Sequence, residues 1–141
     1  MYIEEVKTID EQTVAAFKNL IPQLVNRDDY PTAEELKQVV SSDNIHLLVA
    51  KSRGVIIGSV TVALYQIPTG KKAIIEDVVV DVNARGKGAA SQLMKYAIEV
   101  ARKGGARKIE LVSNPTRIAA NKMYMKFGFK VRDTNFYRLD L

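Results

Sequence analysis

Apolar and polar positions follow two rhythms along this chain, and the switches between them mark its elements. Residues 2–7 read as a short first strand. Over residues 9–25 the spacing is helical, with Val14, Phe17, Leu20, Ile21 and Leu24 gathered on one face. Asp10 or Thr8 stands where a side chain caps a helix start. Asn26 to Tyr30 is a polar break, and Pro31-Thr32 opens a second, short helix that ends near Ser41-Ser42. Thr32 and Glu35 have capping-box spacing.

Strands dominate the middle. Residues 45–51 form one, Arg53-Gly54 turns the chain, and residues 55–65 form the next, where Val60, Val62 and Leu64 alternate with Ser59 and Thr61. Pro68 to Lys71 is a loop. Residues 73–81 (AIIEDVVVD) are a nearly continuous apolar run, which predicts a central strand. A helix follows over residues 88–103, with Ala90, Leu93, Met94, Ala97, Ile98 and Ala101 on one stripe and Gly104-Gly105 as its stop. Residues 107–112 are a strand, and Pro115 starts a helix that runs to Phe127 before Gly128. Residues 129–132 and 136–140 read as two closing strands. All four prolines are expected in turns or at helix starts. The order β-α-α-β-β-β-α-β-α-β-β predicts an α+β or mixed α/β sheet with helices on its faces.

Composition narrows the chemistry. The 141 residues are 47% apolar and 26% charged, which suits one folded domain over residues 1–141 and argues against disorder. No apolar run approaches a membrane span. The acidic start lacks an apolar signal core, so a cytoplasmic protein is expected. With no cysteine and only His46, there are no disulfides, thiolate zinc sites or cysteine nucleophiles. A Ser-His-Asp triad or a His-rich metal site is not expected. Reaction chemistry must therefore come from carboxylates, tyrosine, lysine, backbone amides or a bound cofactor.

Charge is uneven. Residues 1–101 carry 11 Lys and Arg against 13 Asp and Glu, whereas residues 102–141 carry 10 against 3. A basic C-terminal third suits an anionic partner such as a phosphorylated cofactor or a nucleic acid, and equally a solvated basic face. No aromatic-basic interleaving supports direct reading of nucleic acid.

Two segments stand out. Residues 75–93 run from a buried strand through Arg85-Gly86-Lys87-Gly88-Ala89-Ala90 into a helix. Glycines let a ligand approach the backbone, and a helix start offers unpaired amides and a positive dipole end to phosphate oxygens. The loop is neither a Walker A motif nor a dinucleotide-binding fingerprint, and by itself an ordinary strand-to-helix connection explains it. In residues 113–129, Asn121 and Tyr124 share a helix face. Tyr124 also falls on the apolar stripe with Ala120, Met123 and Phe127, so spacing alone leaves it open between core aromatic and site residue.

Together these segments resemble the GNAT superfamily of acyl-CoA-dependent N-acyltransferases. The family's loop pattern, [RQ]-x-x-G-x-[GA], reads here from Arg85 to Ala90. The stretch from Ala119 to Phe129 is similar to its A-x-x-x-Y-x-x-x-G-F helix and strand. The resemblance implies a central, mostly antiparallel mixed sheet of six to seven strands, about four flanking helices, and a splay between the fourth and fifth strands. It implies acetyl-CoA as cosubstrate and no metal. The pyrophosphate would lie on Arg85, Gly86, Lys87, Gly88, Ala89 and Ala90, and the pantetheine arm would pair along Val78, Val79 and Val80, with Asn114 and Asn121 beside it. Tyr124 would be the general acid, the Val78 amide an oxyanion donor, and Glu76 the base, with Asp77 as fallback. Strand alternation would turn only one of these two carboxylates to the cleft.

The Glu-Asp-Val-Val-Val run is similar to that of glucosamine-phosphate acetyltransferases. By analogy with the family, the first two helices and the loops near residues 26–32 and 66–71 would shape the acceptor site. Asp28, Asp29, Tyr30 and Asp77 would then meet a cationic amine such as a polyamine, aminoglycoside or amino acid. A protein or aminoacyl-tRNA amine, or a non-catalytic acyl-CoA-binding regulatory module, are the alternatives. A homodimer through C-terminal strands is expected, as in small members of the family.

Overall fold

The computed structural model describes residues 1–25 and 27–141. One sheet runs β1 (Tyr2–Glu5), β2 (Ile45–Ser52), β3 (Val55–Ile67), β4 (Gly70–Val80), β5 (Ile109–Leu111) in spatial order. Neighbours are antiparallel except β4 and β5, which are parallel. The helices are α1 (Glu11–Val25), α2 (Ala33–Ser41), α3 (Ala89–Lys103) and α4 (Ile118–Lys126). The expected mixed α+β class and the element order hold as far as α4.

The strand count does not. Among the described residues the sheet has five strands rather than six or seven, because residues 129–132 and 136–140 join no ladder. The Phe129 N–H bonds back to the Tyr124 carbonyl at the end of α4. The Thr134 N–H bonds to the Arg132 carbonyl, which folds the chain at Asp133 before a strand can form. Val131, Phe136, Tyr137, Leu139 and Leu141 stay exposed.

Local chemistry sets the helix ends. Asp10, not Thr8, caps α1: its Oδ1 accepts from the Thr13 N–H at 2.8 Å and the Thr13 hydroxyl at 2.7 Å. These bonds hold its carboxyl below the usual carboxylate range. The expected capping box is present in both directions between Thr32 and Glu35. Pro22 corrects one expectation, since it lies within the last turn of α1, where its missing N–H removes only one helical bond. α4 starts at Ile118 rather than Pro115, because the Asn114 side chain accepts from both the N–H and the hydroxyl of Thr116 and holds a separate turn.

The sheet separates two cores. Leu48, Val60 and Val62 pack with Leu93, Met94 and Ala97 of α3, and Leu47 and Val49 pack with Phe17 and Leu36 of α1 and α2. Adjacent β2 residues thus serve opposite faces. His46 ties β2 to β1 through Nδ1, 2.8 Å from a Glu5 carboxylate oxygen. Leu93 is fully enclosed. Leu93→Ala should cost about 3 kcal/mol of stability, read in urea as a lower midpoint with an unchanged m-value.

Candidate functional site

β4 departs from regular pleating at its middle. Thr61 faces Glu76 and Ser59 faces Val79, so Asp77 and Val78 together stand opposite Val60. This is a β-bulge, and Asp77 occupies it with φ 52°, a left-handed conformation that Asp tolerates better than most residues. The bulge corrects the expectation that only one carboxylate turns to the site. Glu76 and Asp77 both line a cavity of about 360 Å³ between α1, α2 and the sheet. Its walls are mainly apolar, from Phe17, Ile21, Leu36, Val39, Ile45 and Leu47.

Both carboxyls stay exposed, yet partial desolvation beside the cavity walls pushes them above the usual range, and the Asp77 charge raises Glu76 further. A raised pKa means that the folded state binds the proton more tightly than the unfolded chain. Stability is therefore lost as pH rises from the unfolded value through the folded one. Asp77→Asn keeps the left-handed residue and removes the charge. It should raise Tm at pH 7 by about 2 °C, a modest gain because the carboxylate keeps solvent contact. The gain should vanish in melts at pH 3, where Asp77 is already protonated.

On its other edge β4 is flanked by β5 only from Ala73 to Ile75. β5 ends there, and β4 runs on to Val80 with no strand partner on this edge among the described residues. The Val78 carbonyl accepts from the Arg117 guanidinium at 3.3 Å, and the Val80 carbonyl from Arg85 Nε at 3.1 Å. A second cavity, about 1060 Å³, lies along β5, α4 and the C-terminal segment, and Glu76, Ser113, Asn121 and Tyr124 all line it. Glu76 therefore borders both cavities. Tyr124 is buried, edge-on to Phe129 with ring centres 6.1 Å apart. Burial pushes its hydroxyl above the usual range, and the Arg117 charge partly offsets this. It is at once a core aromatic and a cavity wall.

Asn121 and Asn114 are engaged locally, the Asn121 side-chain amide donating to the Asn114 carbonyl at 3.0 Å. The Ser113 hydroxyl, by contrast, is a buried polar atom with no partner. Neither Ser113 nor Arg117 stands out in the sequence, and only their places beside the end of β5 and the start of α4 mark them.

The β4–α3 connection is pinned to α1. Asn19 donates to the Asp81 carboxylate at 2.9 Å, and Gln23 accepts from the Val82 N–H at 2.8 Å. Gly86 and Gly88 follow with φ of 79° and 85°. A Cβ at either would meet nothing within 4 Å, so their need is backbone freedom and the space above them is open. Gly88 caps α3 with no side chain over the first turn, which leaves that turn's amides and the positive helix end available to an anion.

Of the expected acceptor residues, Asp29 and Tyr30 line the smaller cavity with Asp77, and Asp28 does not. Asn26 lies outside the described residues. Asp29 pairs with Arg27 at 3.2 Å, and Lys18 sits 5.2 Å from the Tyr30 ring centre. The 66–71 stretch is a correction: it closes a tight β3–β4 hairpin at Ile67 and Gly70 and lines neither cavity. Glu35, read in the sequence only as part of a helix cap, lines the smaller one. Among the described residues no three His, Cys, Asp or Glu gather to hold a metal ion, and no helix is long and apolar enough to cross a membrane.

The sequence pattern of the Acetyltransferase (GNAT) family matches residues 11–129. The aminoalkylphosphonate N-acetyltransferase of Salmonella typhimurium is 28% identical over 123 residues, covering 85% of this chain and 80% of that protein. The fold is similar to an aminoglycoside acetyltransferase from an uncultured soil metagenomic sample, with a TM-score of 0.84, 18% identity and coverage of 99% and 96%. It is also similar to the glucosamine-6-phosphate N-acetyltransferase of Arabidopsis thaliana, with a TM-score of 0.80, 21% identity and 99% of each chain covered.

Proposed function

Because this chain belongs to the acetyltransferase (GNAT) family, we propose that it moves an acetyl group from acetyl-CoA to a small primary amine by direct attack in a ternary complex. One observation carries the reading. The edge of β4 beyond Ile75 has no strand partner and leads into the open, glycine-bearing start of α3, while Glu76, on the same strand, and Tyr124 line the larger cavity. The residues fit the cosubstrate. The orphaned Ser113 hydroxyl and the strand edge at Val78 to Val80 suit an amide-bearing arm, and residues 85–90 suit a pyrophosphate. Asn114 and Asn121 shape the turn beside that arm.

Acetyl-CoA supplies an activated acetyl carbon as a thioester. Glu76, at the border of the two cavities, accepts a proton from the acceptor ammonium, directly or through water. The freed lone pair forms the new N–C bond as the C–S bond breaks. The Val78 N–H donates to the acyl oxygen as charge gathers there. The Tyr124 hydroxyl gives its proton to the departing sulfur, and the second proton leaves the new amide nitrogen through water to restore the Tyr124 hydroxyl.

This scheme is tested by calorimetric titration with acetyl-CoA and by free-thiol release on a panel of amines. Binding at micromolar concentration with amine-dependent thiol release supports it, and absence of binding removes it. Glu76 must be ionised to act as base, so kcat/KM should rise with pH through a pKa above the ordinary carboxylate range. Glu76→Gln should lower kcat by roughly 100-fold and abolish that acidic limb in the pH profile.

We further propose a single domain that works as a homodimer. The support is the exposed apolar side chains of Val131, Phe136, Tyr137, Leu139 and Leu141, together with a β5 edge that has no neighbour among the described residues. Sedimentation of the full chain reads the assembly directly, and a monomer at all concentrations would exclude it.

A further inference from the structure

The smaller cavity contrasts with the chain around it. The protein carries a formal charge of +5, yet the charged residues on this wall are Asp29, Glu35, Glu76 and Asp77, with no Lys or Arg among the described lining. Two of the four carboxylates are already engaged, Asp29 with Arg27 and Glu35 in the capping box of α2. Glu76 and Asp77 have no cationic partner among the described residues and sit side by side, because the bulge turns both the same way. An acidic pair alone would accept any cation. The rest of the cavity is selective, because Phe17, Ile21, Leu36, Val39 and Leu47 offer a body-sized apolar volume of about 360 Å³, within the usual size of a small-molecule site.

Building on the acetyl-transfer reading above, we propose that the acceptor is a primary amine that carries no anionic group and whose body is aliphatic or aromatic. The body lies among Phe17, Leu36 and Leu47, and the amine points to Glu76 and Asp77, where the second cavity begins. Placing a carboxylate or phosphonate here would set an anion against Glu76 and Asp77 with no cationic side chain lining the cavity to pair it. The chain would thus differ in substrate class from the aminoalkylphosphonate enzyme to which it is 28% identical.

The test uses the full chain and three probes: 2-phenylethylamine, phenylalanine and 2-aminoethylphosphonate. Each is titrated calorimetrically against the protein without cosubstrate, and then assayed for acetyl-CoA-dependent thiol release. The expected result is binding of 2-phenylethylamine and a kcat/KM at least about 100-fold above that for either anionic amine. Asp77→Asn should weaken 2-phenylethylamine about 10-fold and narrow its advantage over phenylalanine, a change in discrimination that a loss of folding would not produce. Turnover of phenylalanine or 2-aminoethylphosphonate at equal or higher efficiency would overturn the proposal and leave acetyl transfer standing. Failure of 2-phenylethylamine to bind the free protein would also overturn it. Binding of 2-phenylethylamine with no binding of acetyl-CoA would support the cavity assignment and remove the acetyl-transfer reading instead.

Discussion

Tyr124→Phe is expected to lower kcat by roughly 100- to 1000-fold, with the KM for acetyl-CoA changed by no more than about twofold. The substitution removes one oxygen and keeps the ring, so the edge-to-face contact with Phe129 and the packing of α4 on the sheet survive. Melting within a few degrees of the parent would show that the fold is intact. Burial raises the Tyr124 hydroxyl above its ordinary range, so it holds its proton at neutral pH and can donate it. In the parent enzyme kcat should therefore fall at alkaline pH as this proton is lost, and the Phe variant should show no such limb. Unchanged turnover in the variant would mean that the ring matters only as core and that the leaving sulfur draws its proton from water.

Gly88→Glu is expected to weaken acetyl-CoA binding by about 100-fold, measured by calorimetry. Two effects add. The residue needs φ of 85°, which disfavours any side chain by about 1–2 kcal/mol. A carboxylate at the first turn of α3 also opposes the phosphate charge that the helix start would attract. Gly88→Ala separates the two. Its Cβ meets no atom within 4 Å, so it carries the backbone strain alone and should cost mostly stability, with binding reduced less than about 10-fold. Normal affinity in the Glu variant would place the pyrophosphate elsewhere.

The elements of this protein are legible in the sequence because long periodic stretches report burial. The stripe of Leu93, Met94 and Ala97 in α3, the alternation through Val60 to Leu64, and the Thr32–Glu35 box are local signals with local causes. The loop from Arg85 to Ala90 is legible because its glycines are needed for backbone conformation, and a glycine is visible in any alphabet. The closing strands misled for the converse reason. Alternation from Phe129 to Leu139 shows that a segment suits a ladder, but not that a neighbour is placed to make one. Clustering across the sheet was also hidden. Glu35 joins Glu76 and Asp77 around one cavity only once α1 and α2 pack on the sheet, and Arg117 meets Val78 across 39 positions of sequence.

A clue to the bulge does lie in the sequence. Ala73 and Ile75 enter the α3-side core, and so do Val78 and Val80; the step from odd to even positions marks one residue too many. Asp77 is that residue, and its removal has an unusual consequence. A deletion in most strands throws everything beyond it onto the wrong face. Deleting Asp77 would instead place Glu76 directly before Val78 and keep Ala73, Ile75, Val78 and Val80 in step on one face. The architecture can thus be counted without Asp77. It sits in the strand as an insertion that the core does not register, and its effects fall on the paired carboxylates and on the cavity they face.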